Sequence, residues 1–156
     1  MMLKPASLRK ALFKSVPLLR DNPDMLHMFV DGGVINATLA ASLSFENRYT
    51  LDIVVTDYTG DINLLIVPVN VWLREHQPDI MTTEEGKKRG FTFVADINSD
   101  DSKDVRMSLQ LTERTIVKEV DRRINVTPLD EPPPPVPVHR PMELYVHGEL
   151  VSKWDE

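Results

Sequence analysis

The sequence contains no cysteine, and that absence removes several kinds of chemistry at once. It excludes a disulfide framework, a thiol nucleophile and a structural zinc site built on thiolates. Long apolar runs are missing too. The uncharged apolar run from Ile62 to Leu73 is too short to cross a bilayer. Lys4, Arg9, Lys10 and Lys14 are interspersed with apolar positions and no apolar leader follows them. The expectation is therefore no signal peptide and a soluble, cytosolic-type protein. Positive charge is in deficit, with 18 basic against 24 acidic side chains and a formal charge of −6. Such a chain has little electrostatic attraction to phosphate backbones, so specific nucleic-acid binding is not expected. There is no phosphate-cradling glycine motif and no nucleophile elbow. The four histidines, His27, His76, His139 and His147, lack ligand spacing. No catalytic, metal or cofactor residue is assigned, and an enzyme is not expected.

What is present is ordinary globular material. The chain has 156 residues, 42% hydrophobic and 27% charged, enough for one domain with its own core. Residues 5–20 place Leu8, Leu12, Val16 and Leu19 at helical spacing with Arg9, Lys10 and Lys14 turned away. This basic amphipathic segment suits either a membrane or partner contact or, more simply, a helix covering a sheet. Pro17 is expected to kink or end it. Met25 to Val30 reads as a short strand closed by a turn at Asp31-Gly32-Gly33. Ile35, Ala37, Leu39, Ala41 and Leu43 then alternate. After a break at Glu46-Asn47-Arg48, Tyr49, Leu51, Ile53 and Val55 alternate again, so the pair reads as a long hairpin with one buried face.

Asp57 to Asp61 forms a turn and helix start, and Ile62, Leu65, Ile66, Val69, Trp72 and Leu73 make one helical stripe. Pro68 is expected to kink that helix, and Gln77-Pro78 to close it. A competing reading makes Leu64 to Val67 a strand. Thr82 to Gly90 reads as a turn-rich surface segment. Phe91, Phe93, Ala95 and Ile97 form one strand, and Val105, Met107, Leu109 and Leu111 another. Between them Asp96, Asn98 and Asp100 mimic the start of a calcium loop. Asp101 stands where the turn glycine is needed and Met107 where a bidentate glutamate belongs, so a solvated loop is expected instead. Past Glu113-Arg114 the apolar positions switch to Ile116, Val120, Ile124 and Val126. In a continuous strand that change of parity marks a bulge or bend.

The chain's 12 prolines concentrate near the end, in EPPPPVPVHRPMELYVHGELVSKWDE. Residues Pro132 to Pro141 favour a polyproline II rod roughly 31 Å long, at about 3.1 Å per residue. Met142, Leu144 and Val146 then alternate with Glu143, Tyr145 and His147. Gly148 turns the chain, and Leu150, Val151 and Trp154 add apolar area. The division expected is a core domain over 1–129, a Pro-rich rod over 130–141 and a C-terminal hairpin over 142–156. An isolated two-stranded hairpin is marginal in water, so this one needs a surface. Candidate interaction residues are Pro132, Pro133, Pro134, Pro135, Met142, Leu144, Tyr145, Val146, Leu150 and Trp154. The fold class is α+β: a mostly antiparallel sheet with two helices covering one face, plus the arm.

Taken together, TLAASLSFENRYTLDIVVTDYTGD, LLIVPVNVWLREHQPDIMTTEEG, GFTFVADIN, LTERT and the C-terminal stretch resemble the tail completion protein R family of peduovirus-type contractile-tailed bacteriophages. The resemblance covers essentially the whole chain. It implies a structural virion protein that finishes the tail so that a head can join, present in the host cytoplasm during assembly. By analogy with the role in other tailed phages it implies a tail-terminator-like ring, a homohexamer, at the head-proximal end of the tail tube. The implied partners are other copies of itself, the tail tube, and sheath or neck and head-completion proteins. DNA passes through such a ring without specific binding, and no membrane is involved. The arm either folds back onto its own sheet or, as expected here, reaches a neighbouring subunit or another tail protein. The alternative from another class is a monomeric adaptor that offers Pro132-x-x-Pro135 and Pro134-x-x-Pro137 to an aromatic groove.

Overall fold

The computed structural model describes residues 2–37, 43–129 and 141–155. Helix α1 (Leu3–Ser15) buries Leu8 and Leu12 and stops where proline requires it. The residue before a proline is pushed out of the helical region. Val16 accordingly sits at φ −116°, ψ 99°, and Pro17 opens a second short helix, α2 (Pro17–Asp21). A 3-10 turn over Pro23–Met25 leads into the sheet.

Five strands form one antiparallel sheet: β1 (Leu26–Ala37), β2 (Phe45–Tyr58), β3 (Phe91–Ile97), β4 (Lys103–Val120) and β5 (Arg123–Leu129). Their order is β1-β2-β4-β3, with β5 also paired to β4. Arg114 and Thr115 are paired on both sides, to β2 through Glu46 and Phe45 and to β5 through Leu129 and Pro128. Strand β5 therefore lies on the side of β4 away from β2, in line with β3. Across β2 and β4 the odd positions face one way: Leu51 opposes Leu109, Ile53 opposes Met107, and Val55 opposes Val105. All six are essentially inaccessible to water.

Two long helices, with the short α2, cover that face. Helix α3 (Asn63–His76) runs continuously through Pro68, so the stretch from Leu64 to Val67 is helix and not strand. It buries Leu65, Val69, Trp72 and Leu73, most of the stripe read from the sequence. Asp61 Oδ1 accepts the Asn63 N–H at 2.9 Å, the helix-start role expected of it. With Leu8, Leu12 and Leu19 from α1 and α2, these side chains form a single core against β2 and β4. The α+β class, with a mostly antiparallel sheet, is as expected.

Three local expectations are corrected. Asp31-Gly32-Gly33 does not close a hairpin; β1 passes through it as a bulge between Val30 and Gly33. Gly32 takes φ +109°, and a Cβ on Gly33 would lie 2.6 Å from the Arg48 carbonyl oxygen, so both glycines are needed. Glu46-Asn47-Arg48 is not a break but part of β2, paired with Asn36, Ile35 and Val34. A strand tolerates three polar residues there because none is fully buried: Glu46 and Asn47 are half-buried and Arg48 is exposed. The apolar side chains opposite are exposed as well, Val34 at 65% and Ile35 at 59%. Leu39 and Ala41, expected to continue the alternation, lie outside the described residues.

The parity change after Arg114 is neither bulge nor bend. Strand β4 continues to Val120, Asp121 and Arg122 turn at φ 51° and 64°, and Arg123 pairs back with Val120. Both turn residues have positive φ, the type I′ geometry that matches strand twist. The segment from Thr82 to Gly90 is largely exposed, as read from the sequence, and its turns are helical: it ends α4 (Asp79–Thr82) and forms one π-helical turn over Gly86–Gly90.

Candidate interaction surfaces

Strands β6 (Pro141–Val146) and β7 (Glu149–Asp155) form a separate antiparallel hairpin, turned by His147 and Gly148 at φ 51° and 81°. Met142 faces Trp154 and Leu144 faces Ser152; Tyr145 then pairs with Leu150 across a bulge. Because side chains alternate, the candidate residues divide between two faces. Leu144 is buried, and Met142 and Trp154 are half-buried. Tyr145 and Leu150 stand on the opposite face, 54% and 45% exposed. Tyr145 donates its hydroxyl to Glu143 Oε2 at 2.6 Å, and that bond to a carboxylate raises the phenol's pKa. Val146 is half-buried beside the turn. Pro132, Pro133, Pro134 and Pro135 lie outside the described residues, and the polyproline rod with them.

Strand β7 lies along α1. Between them is a groove of about 760 Å³, lined by Ala6, Arg9, Lys10, Phe13, Lys14, Arg20, Lys153 and Trp154. Five of these eight residues are cationic. Arg9 stacks over the Phe13 ring at 5.3 Å, and Arg20 donates to the carbonyls of Phe13 and Lys14 at 2.9 and 2.7 Å. Lys153 has Glu143 at 3.7 Å. Among the described residues no carboxylate lies within ion-pairing distance of Arg9, Lys10 or Lys14.

The opposite sign gathers at the β3–β4 connection. Asp96, Asp100 and Asp101 are exposed there, with Asp104 half-buried at the start of β4. Asp100 Oδ1 accepts from the Ser102 hydroxyl at 2.6 Å and its N–H at 3.2 Å, and these bonds hold its carboxyl below the usual range. Asp101 takes φ 65° in the place a calcium loop gives to glycine. Asn98 donates to Ser102 Oγ at 3.1 Å. Among the described residues no three His, Asp or Glu side chains gather closely enough to hold a metal. Ile97, at the end of β3, is 76% exposed.

Polar side chains elsewhere hold elements together. Glu113, from the core side of β4, caps α1: its Oε1 accepts the Leu3 and Lys4 N–H groups at 2.7 and 3.2 Å. Its Oε2 accepts the Tyr49 hydroxyl at 2.7 Å. Helix α1 has no acidic residue in its own first turn, and the strand supplies one. Gln77 is buried at the stretch of β4 between its pairing with Phe91 and its pairing with Leu129. There its Oε1 accepts the Thr112 N–H at 3.0 Å and Lys4 Nζ at 2.7 Å, filling a gap in the ladder. On the uncovered face, Asp52 is fully buried yet satisfied by Arg106 at 2.6 Å and Ser108 at 2.5 Å. Arg106 also stacks over Phe29 at 5.6 Å and reaches Asp31 of the bulge at 3.6 Å.

One grouping has the outline of a catalytic pair. Ser7 Oγ lies 3.5 Å from His76 Nε2, and Trp72 Nε1–H donates to the same hydroxyl at 3.0 Å. His76 stacks on Trp72 with ring centroids 4.5 Å apart, and its Nδ1 faces the Trp72 carbonyl at 2.9 Å. A carbonyl in that place can accept from Nδ1–H but supplies no negative charge to stabilise an imidazolium. The arrangement clasps α1 to α3. Sequence reading missed Glu113, Gln77 and Asp52 because each acts across long separations that leave no local pattern.

The described surface offers contact area, not converging reactive groups: exposed apolar strands, a charged groove and an acidic tip. Exposed apolar strand edges and charged surfaces of this kind are contact surfaces for other chains. The chain belongs to the P2 phage tail completion protein R family, whose model matches residues 2–132. It is 68% identical over 155 residues to "Tail completion protein R" of Escherichia phage P2, covering 99% of this chain and 100% of that protein. No solved structure matches the chain. The family identified is the one the residues resemble, and its members are components of the phage tail. No described helix is long and apolar enough to cross a membrane.

Proposed function

We propose that this chain is a non-enzymatic virion protein that completes the phage tail, capping the head-proximal end of the tail tube as a ring, a homohexamer, so that a head can join. The observation that carries this reading is the full-length identity of 68% to a protein named for tail completion. The surface supports it. Strands β1, β3 and β5 are open edges, and exposed Val34, Ile35, Val94, Ile124 and Val126 lie on them. Such edges invite pairing with further chains, and a closed ring satisfies them without runaway association.

The arm belongs to this reading as a contact element. The family match ends at residue 132, where the proline run begins. The partition into a core over 1–129, a rod over 130–141 and a hairpin over 142–156 fits a body with a tethered docking piece. In the single chain the hairpin rests on α1, and the α1 of a neighbouring copy offers the same surface. Tube, sheath and neck proteins are the further partners. The test is complementation of a phage lacking its tail completion gene, followed by imaging of labelled chain on the tails. Restored infectivity with label at the head-proximal end is expected. Label along the tube or at the baseplate would overturn the placement.

A further inference from the structure

The basic groove and the acidic tip are two unlike surfaces on one chain, and each has what the other lacks. The groove between α1 and β7 carries Arg9, Lys10, Lys14, Arg20 and Lys153 over an apolar floor of Phe13 and Trp154. In a chain of net charge −6, five of 18 basic residues meet at this one place. A cluster of like charges raises the energy of the isolated chain unless something of opposite sign is brought to it. The β3–β4 tip offers Asp96, Asp100 and Asp101 beside Ile97, an apolar side chain 76% exposed. Among the described residues no ion pair joins the cations of the groove to the aspartates of the tip, so neither surface satisfies the other within the chain.

We propose that the groove formed by α1 and β7 receives the β3–β4 tip of a second copy of this chain, with Ile97 against Phe13 and Trp154 and the aspartates against Lys10 and Lys14. The inference rests on the ring reading and names the surfaces that would build it. A contact between two different patches is heterologous, and repeated with a rotation that closes it builds a ring rather than a pair. Opposite charge fixes which end meets which and suppresses the reverse pairing, since groove on groove or tip on tip is repulsive. Nucleic acid is the other polyanion a basic groove could hold. The net negative charge of the chain and the apolar Ile97 at the tip favour protein over phosphate.

The absence of cysteine makes a direct test possible. Full-length Lys10→Cys/Asp101→Cys is expressed in place of the resident tail completion gene, and completed tails are oxidised and run without reductant. A ladder extending beyond the dimer is expected, absent from Lys10→Cys alone and Asp101→Cys alone. A second pair, Lys14→Cys/Asp100→Cys, guards against one misaligned thiol. Tails that complete normally but yield no ladder from either pair would overturn the proposal. Failure of the unsubstituted chain to complete tails would instead count against the ring reading. Charge reversal gives an independent readout. Lys10→Glu/Lys14→Glu is expected to lower tail completion about tenfold or more while circular dichroism stays unchanged, and wild-type yield would overturn the idea. Binding of a fluorescent DNA duplex at physiological salt, lost in the same variant, would assign the groove to nucleic acid and overturn it too.

Discussion

Glu113 shows how much one side chain can organise. It comes from a strand, yet its oxygens finish a helix at the other end of the sequence and orient Tyr49. Glu113→Ala would orphan two helix-start N–H groups and a buried hydroxyl. We expect a loss of about 1–3 kcal/mol, read as a lower melting temperature, with Glu113→Gln milder because one oxygen still accepts. A variant as stable as the parent would show that water replaces the cap. Tyr49 and Tyr58 give the residue scale a pH signature. Burial, then the bond to Glu113, raises the Tyr49 phenol, and burial with the nearby Asp61 charge lifts Tyr58 to about 12. Above pH 10, the ordinary phenol value, the unfolded chain gives up protons that the folded chain retains. Stability from these groups is therefore complete below pH 10 and is lost as pH rises toward 12 and beyond. Alkaline unfolding followed by circular dichroism and tyrosinate absorbance should show the two signals rising together. Ionisation of Tyr49 or Tyr58, beyond that of the exposed Tyr145, near pH 10 in a still-folded protein would contradict the burial.

At the scale of elements, the β4–β5 and β6–β7 hairpins share a device. Asp121-Arg122 and His147-Gly148 both turn with positive φ at each position. The first pair does so without glycine, at a steric cost that an arginine bears and a glycine would not. Arg122→Gly should raise the melting temperature by a few degrees, corresponding to about 1 kcal/mol; a fall would mean that the arginine makes a stabilising contact. The C-terminal hairpin tests the division of the chain. Deletion after Leu129 removes the proline run with β6 and β7, but leaves every strand of the five-stranded sheet and both covering helices. We expect a folded, soluble domain by circular dichroism that fails to complete tails. A truncated chain that unfolds outright would instead make the hairpin part of the core. The acidic β3–β4 connection should bind no calcium, since it lacks the twelfth-position carboxylate. A melting temperature raised by several degrees in millimolar calcium, and reversed by chelator, would refute this.

For the whole molecule, the sequence by itself determined the core and the family. The helical stripe of Leu8, Leu12 and Leu19, that of Leu65, Val69 and Leu73, and the strand alternations of Leu51, Ile53, Met107 and Leu109 are each legible because the period of the element is written in neighbouring residues. Those residues are the ones buried. The long distinctive segments likewise identified the family. Local patterns failed where geometry depends on a partner strand. Gly32-Gly33 carries the same signal whether it turns a hairpin or bulges within a strand, and only pairing with Arg48 and Tyr49 decides. Asp121-Arg122 has no turn glycine, so the reversal there was invisible. Tertiary structure alone decided which surfaces exist. Arg9, Lys10 and Lys14 read as the solvated side of a helix until β7 brings Lys153 and Trp154 alongside them and makes that side a groove. Charge and apolar area acquire a binding shape only when segments far apart in the chain meet, and that meeting is set by packing, which no short window of sequence records.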